Sequence, residues 1–176
     1  LYLQYLKGLD ARSAGLIMIS QPVAMALLSP LAGKLSDRMN PGVIASTGMG
    51  LTGAGLIMLC FITAETPVFV LVILLAIMGV GFGLFSSPNS NAIMSSVEKR
   101  HLGIASGVVG TMRMIGQTTS MGIAMMLIAL FLGKQKINPD TFPGLIKAIK
   151  TGFLIFSALS VLGIFASLAR NKSLRK

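Results

Sequence analysis

The sequence predicts an all-α membrane bundle, in which several helices cross a bilayer side by side. Three observations predict it. Of the 176 residues, 53% are hydrophobic and only 11% charged, against about 25% charged in a soluble domain. The charges sit in short patches, separated by uncharged windows of 21 residues (13–33), 26 (39–64), 32 (66–97), 20 (114–133) and 19 (151–169). The net charge of +10 comes largely from basic residues between those windows, as in the loops of membrane proteins. A soluble enzyme lacks support because so few charges cannot coat its surface. The single cysteine, Cys60, excludes a disulfide scaffold, and the loop placement of the positive charge argues against nucleic acid as a partner.

About 20 apolar residues in helical form cross the ~30 Å hydrocarbon layer, so the windows give five spans, at about 13–33, 42–64, 67–95, 103–133 and 149–169. A signal peptide would supply one short apolar region near the start. Barrel strands would alternate in polarity, whereas GLIMLCFI and FVLVILLAIM run apolar throughout. The opening LYLQYL is too short to span and reads as the end of a sixth helix, with Tyr2 and Tyr5 suited to an interfacial belt. Residues 1–176 then read as one transmembrane fragment of a larger transporter.

Each span carries its own signals. The first holds Pro22 and Pro30, each of which removes a backbone hydrogen bond and kinks the helix, with the polar Gln21 beside the first of them. In the second, Ala45, Gly48, Thr52 and Gly55 recur at helical spacing and form one small-residue face, which lets backbones approach closely. The third has Gly79 and Gly83 four residues apart and Pro88 within a polar stretch, Ser86, Ser87, Asn89 and Asn91. Those side chains can partner the carbonyl that the proline frees. Asn89 and Asn91 lie ~200° apart around a helix and cannot share one face.

The fourth span has Gly103 and Gly107 as a further packing pair, and it contains Arg113. This arginine falls roughly ten residues in, about 15 Å along the helix. An arginine near the bilayer centre costs about 2.5–3.5 kcal/mol on insertion scales, so it should face protein or water. Ser106, Gly110, Arg113, Gln117 and Ser120 form one small, polar stripe. Arg113 either lines an aqueous cavity or snorkels to the interface and clamps a neighbouring backbone. The fifth span follows a loop with Pro139 and Pro143, whose final residues suit an amphipathic lead-in.

Loop charges give the orientation. The segment 34–41, the turn 96–102 and the tail carry eight basic residues, and the opposite side carries six. The positive-inside rule puts the eight, and with them the C-terminus, in the cytoplasm of a cell membrane. Soluble chemistry is poorly served. A single histidine, His101, builds neither a zinc site nor a hydrolase triad. GVGFGLF lies mid-span, without the strand or the Gly-Lys-Ser/Thr of a phosphate loop. Asp10, Asp37, Glu65, Glu98 and Asp140 all lie in loops or at helix ends, so no carboxylate sits within a span.

Gly33-Lys34-Leu35-Ser36-Asp37-Arg38 resembles the Gly-x-Leu-x-Asp-Arg loop signature of the major facilitator superfamily. GVGFGLFSSPNSNAIM and GIASGVVGTMRMIGQ are similar to later helices of its fourteen-span drug:proton antiporter branch. The resemblance covers nearly the whole chain. It implies the C-terminal half of a multidrug efflux transporter that works by alternating access and draws on a proton gradient, with no other cofactor. The missing N-terminal half of the same protein would supply the rest of a midplane site. Gln21, Asn89, Asn91, Arg113 and Gln117 are the candidate cavity residues for a small, lipophilic or cationic substrate. Gly33, Asp37 and Arg38 would belong to a conformational latch, or simply anchor the chain with positive charge. The loop departs from the family at Met39-Asn40-Pro41-Gly42, where glycine and basic residues usually follow. Other readings are an uptake transporter for sugars, organic acids or amino acids, and a non-transporting subunit of a membrane complex.

Overall fold

The computed structural model describes residues 2–39, 41–133 and 137–173, without the side chains at 37, 41, 140 and 166–173. It is helical, as expected, and no strand occurs among the described residues. After a π-helical turn, Tyr2–Leu6, come six helices: α1 (Ala11–Met18), α2 (Ser20–Arg38), α3 (Pro41–Leu59), α4 (Val68–Ser95), α5 (Leu102–Leu132) and α6 (Phe142–Ser173). Taken with α1 and α2 as one, they give five segments long and apolar enough to cross a membrane, from Ala11–Ser36 to Phe142–Phe165.

The differences from the expected spans have local causes. The first span is broken at Ile19, because Pro22 has no N–H to offer the Met18 carbonyl. Ser20 donates its hydroxyl to the Ile17 carbonyl at 2.7 Å beside the break, and the bond from Val23 N to Ile19 O, 3.0 Å, resumes the helical pattern. α2 then passes through Pro30 and runs on to Arg38, so the Gly33–Arg38 signature is helical and ends a helix instead of forming a loop. Asp37 is in the last turn of α2, four residues ahead of the start of α3. Its side chain lies outside the described residues, as does Asn40. α3 stops at Leu59, short of the uncharged window's end, where Thr63 N donates to Thr66 Oγ1 at 2.8 Å in a tight loop before Pro67. α6 begins earlier than expected, because Asn138 and Thr141 form a reciprocal cap ahead of Phe142 and Pro143.

α4 is the centre of the bundle. α2 packs on one side of it and α3 on the other, α6 packs on α3, and α5 leans on α6 with only slight contact to α4. The glycines determine this order. Gly79 and Gly83 face α2: a Cβ on Gly79 would collide with the Gln21 carbonyl, and one on Gly83 would lie 3.3 Å from the Met25 carbonyl. Gly81, ~200° further round, faces α3, where a Cβ would lie 2.6 Å from Thr52 Oγ1 and 2.8 Å from Gly48 O. A Cβ on Gly48 would in turn lie 2.7 Å from Phe85 N, and one on Gly55 would meet the Met78 side chain. Only hydrogen at these Cα atoms permits such approach. Pro88 is almost completely buried in α4.

The expected packing at Gly103 and Gly107 is not made within this chain. Nothing lies within 4 Å of a Cβ on either, because the amino-terminal half of α5 has no described neighbour on that face. Further along, α5 settles on α6, and a Cβ on Gly144 would come 2.9 Å from the Phe131 carbonyl.

Candidate functional site

α4 and α5 form an antiparallel pair joined by the turn around Lys99–His101. Ser86 and Arg113 lie 27 residues apart and almost symmetrically about that turn, so they face each other at equal depth. Each is about 14–17 Å from the Lys99–His101 end of its helix at 1.5 Å per residue, about half the ~30 Å thickness of a hydrocarbon layer. Arg113 Nη2 donates to Ser86 Oγ at 3.4 Å, across the gap between the two helices.

Because the helices barely touch elsewhere, a cleft of about 620 Å³ opens between them. From α4 it is lined by Phe82, Phe85, Ser86 and Asn89, and from α5 by Val109, Met112 and Arg113. Phe82, Phe85 or Ser86, and Asn89 follow one another by three or four residues, which places them on one face of α4. The site therefore combines two aromatic rings, a hydroxyl, an amide and a single positive charge. Neither α4 nor α5 contains an aspartate or glutamate. No group of His, Cys, Asp or Glu able to hold a metal occurs among the described residues.

Of the five residues expected in the cavity, the structure brings Asn89 and Arg113 together there. Asn91 falls on another face of α4, in a separate pocket of about 640 Å³ near the Lys99–His101 turn, with Ser36, Ser95 and Lys99. Gln21 is half-buried on α2, and Gln117 is exposed one turn beyond Arg113; neither lines the cleft. Gly33 is a packing residue, its Cβ position 3.4 Å from Ser87 Oγ, and Arg38 is exposed. Phe82 and Phe85 escaped the sequence reading, since an aromatic ring in an apolar run carries no polarity signal. Their spacing ahead of Asn89 was the clue present.

At the end of the bundle opposite the Lys99–His101 turn, Tyr2 donates its hydroxyl to the Thr63 carbonyl at 2.5 Å and Lys7 Nζ donates to the Ala64 carbonyl at 2.6 Å. The opening segment is thereby tied to the loop between α3 and α4. Burial pushes the Tyr2 phenol up from its ordinary 10.0, offset in part by a hydrogen bond with Thr66. Asp10 caps α1, accepting from Arg12 N at 3.2 Å and Ser13 N at 3.4 Å. Its carboxyl is held below its ordinary 3.8, chiefly by the Ser13 side chain and then by these backbone donors.

Residues 1–175 match the family model described as Major Facilitator Superfamily. Among curated proteins, the chain is 32% identical over 130 residues to the Uncharacterized transporter YebQ of Escherichia coli, covering 74% of this chain and 28% of that protein. It is 33% identical over 112 residues to the Riboflavin transporter RibZ of Clostridioides difficile, covering 64% and 25%. It is 30% identical over 131 residues to the Multidrug resistance protein Stp of Mycobacterium tuberculosis, covering 74% and 24%. The matched stretch spans about a quarter of the length of these relatives.

Proposed function

The chain belongs to the Major Facilitator Superfamily, and from that premise we propose that it is the C-terminal transmembrane half of a proton-coupled exporter of lipophilic compounds. A multi-pass membrane helix bundle of a transporter family is the firm part. Export, proton coupling, alternating access and residence in the cell membrane are our reading. The observation that carries it is the cleft at mid-depth between α4 and α5, with Arg113 facing Ser86 across it. A guanidinium at that depth is tolerated only where it meets protein or water, and a midplane cavity between two helical halves is where such transporters bind substrate. A wall of phenylalanine and methionine beside a few polar atoms suits apolar, ring-containing compounds. The resistance proteins among the relatives, Stp and the Methylenomycin A resistance protein of Streptomyces coelicolor, support export. The likeness to a riboflavin transporter supports a second reading, transport of a nutrient.

The energy source in this reading is the proton gradient. With no carboxylate within the spans, the proton-carrying group belongs to the remainder of the protein. The test is movement of a lipophilic dye by membrane vesicles that contain the full-length protein. Accumulation driven by an imposed pH gradient and abolished by a protonophore is expected. Gradient-independent movement overturns proton coupling, and no movement of any dye or flavin overturns transport of this class.

A further inference from the structure

We infer that the cleft between α4 and α5 selects planar aromatic compounds bearing a negative charge, with Arg113 as their counter-ion and Phe82 and Phe85 as the wall they stack against. The inference rests on the transport reading above and narrows its substrate class, against the expectation of cationic substrates.

The charge inventory points this way. Among the described residues, Arg113 is the only charged one lining the cleft, and neither of its two helices carries an acidic residue. A cationic ligand would meet like charge there, with no carboxylate from either helix to offset it. A guanidinium keeps its charge in proteins and presents five N–H donors in a planar fork. Its bond shown here goes to a neutral hydroxyl, Ser86 Oγ, at 3.4 Å, the long end of the hydrogen-bonding range. A carboxylate accepts two parallel, shorter, charge-assisted bonds from the same fork, so such an anion readily replaces the hydroxyl.

The shape points to aromatic ligands. Phe82 and Phe85 occupy adjacent positions on the cleft face of α4, and Phe82 is 44% exposed. A ring system entering between the helices meets these faces on one side and the polarizable Met112 on the other. Asn89, at the same face, adds neutral polarity and does not alter the sign of the site.

The test uses the purified full-length protein and three dyes that share one xanthene ring system: fluorescein (anionic at mildly alkaline pH), a neutral fluorescein ether ester, and a cationic rhodamine ester. Binding is read by fluorescence polarisation. The native protein is expected to bind fluorescein at least about tenfold more tightly than the neutral dye, the ratio that a charge-assisted hydrogen bond supplies. Arg113→Gln erases that preference, Arg113→Lys retains most of it, and Phe85→Leu weakens all three dyes together. Thermal unfolding of each variant identifies any that is misfolded. Binding of the cationic dye as tight as that of fluorescein overturns the inference, and so does an anionic preference that survives Arg113→Gln. If an acidic residue elsewhere in the full-length protein neutralises Arg113, the three dyes bind alike, which also overturns it. Gradient-driven movement of the dyes without anionic preference sinks this inference alone. No binding and no movement of any of them sinks the transport reading with it.

Discussion

Arg113 and Ser86 meet at 3.4 Å across a pair of helices that otherwise hardly touch. The two residues are symmetric about the turn that joins the helices, so the contact follows from hairpin register and sits at the depth where a charge is most costly. The bond is long and ends on a neutral oxygen, so its removal is a mild change. Ser86→Ala in the full-length protein is expected to cost less than about 1 kcal/mol, at most about a fivefold fall in dye movement. Arg113→Ala, which removes the charge itself, is expected to lower movement of an anionic dye at least about tenfold at an unchanged membrane level. Transport assays paired with quantified membrane fractions check both, and normal transport by Arg113→Ala would remove this residue from the site.

Gly81 is where α3 and α4 come closest. Its missing Cβ would lie 2.6 Å from Thr52 Oγ1 and 2.8 Å from the Gly48 carbonyl, and a main-chain oxygen cannot swing aside. Gly81→Ala is therefore expected to destabilise the protein by about 1–3 kcal/mol. Gly50→Ala, with nothing within 4 Å of the added atom, instead gains about 0.5–1 kcal/mol from helix propensity. Thermal unfolding in detergent separates the two.

The orientation proposed for the chain rests on eight basic residues on one side and six on the other. In a Cys60→Ser background, Lys99→Cys is expected to react with a membrane-impermeant maleimide only after the cytoplasmic face is opened. Lys7→Cys should react in intact cells. The reverse pattern would invert the topology.

How much of this was legible in the sequence follows from what each residue type reports. The five long helices were legible because charge is too costly in hydrocarbon to be placed at random, and its gaps mark the spans. Helix ends were less so. The break at Ile19 is the kink that Pro22 predicted, but uncharged windows ignore turn chemistry, so the stop at Leu59 and the early start at Phe142 were missed, although Asn138-Pro139 signalled the second. Arg113 stood out through its desolvation cost and Asn89 through its place beside Pro88. Gln117 and Asn91 looked equivalent, yet a polar residue in a span says only that it avoids lipid, not which neighbour its face meets. Phe82 and Phe85 report nothing by polarity, and only the opening between α4 and α5 shows their role.

Alkaline pH should loosen the tie made by Tyr2. Burial raises the Tyr2 phenol above its ordinary 10.0, so the folded value exceeds the unfolded one. The contribution is then complete below pH 10.0 and is lost as pH climbs through the folded value. Tyrosinate absorbance should rise late for Tyr2, in step with faster amide exchange at 60–66, and Tyr2→Phe should show fast exchange there at every pH.

Acid should act on the start of α1. The Asp10 carboxyl is held below its ordinary 3.8, so its capping contribution is present above that value and disappears as pH falls through the folded one. Amide exchange over 11–14 should quicken in that window for the native protein. Asp10→Asn, which still accepts hydrogen bonds but does not titrate, should show no such acid step.

The bundle is unevenly built. α2, α4 and α3 interlock through glycines that bring backbone against backbone, whereas α5 rests chiefly on α6. Mechanical load is thus shared unequally. The interlocked trio is expected to be a stiff plank, with compliance concentrated in the seam between α4 and α5.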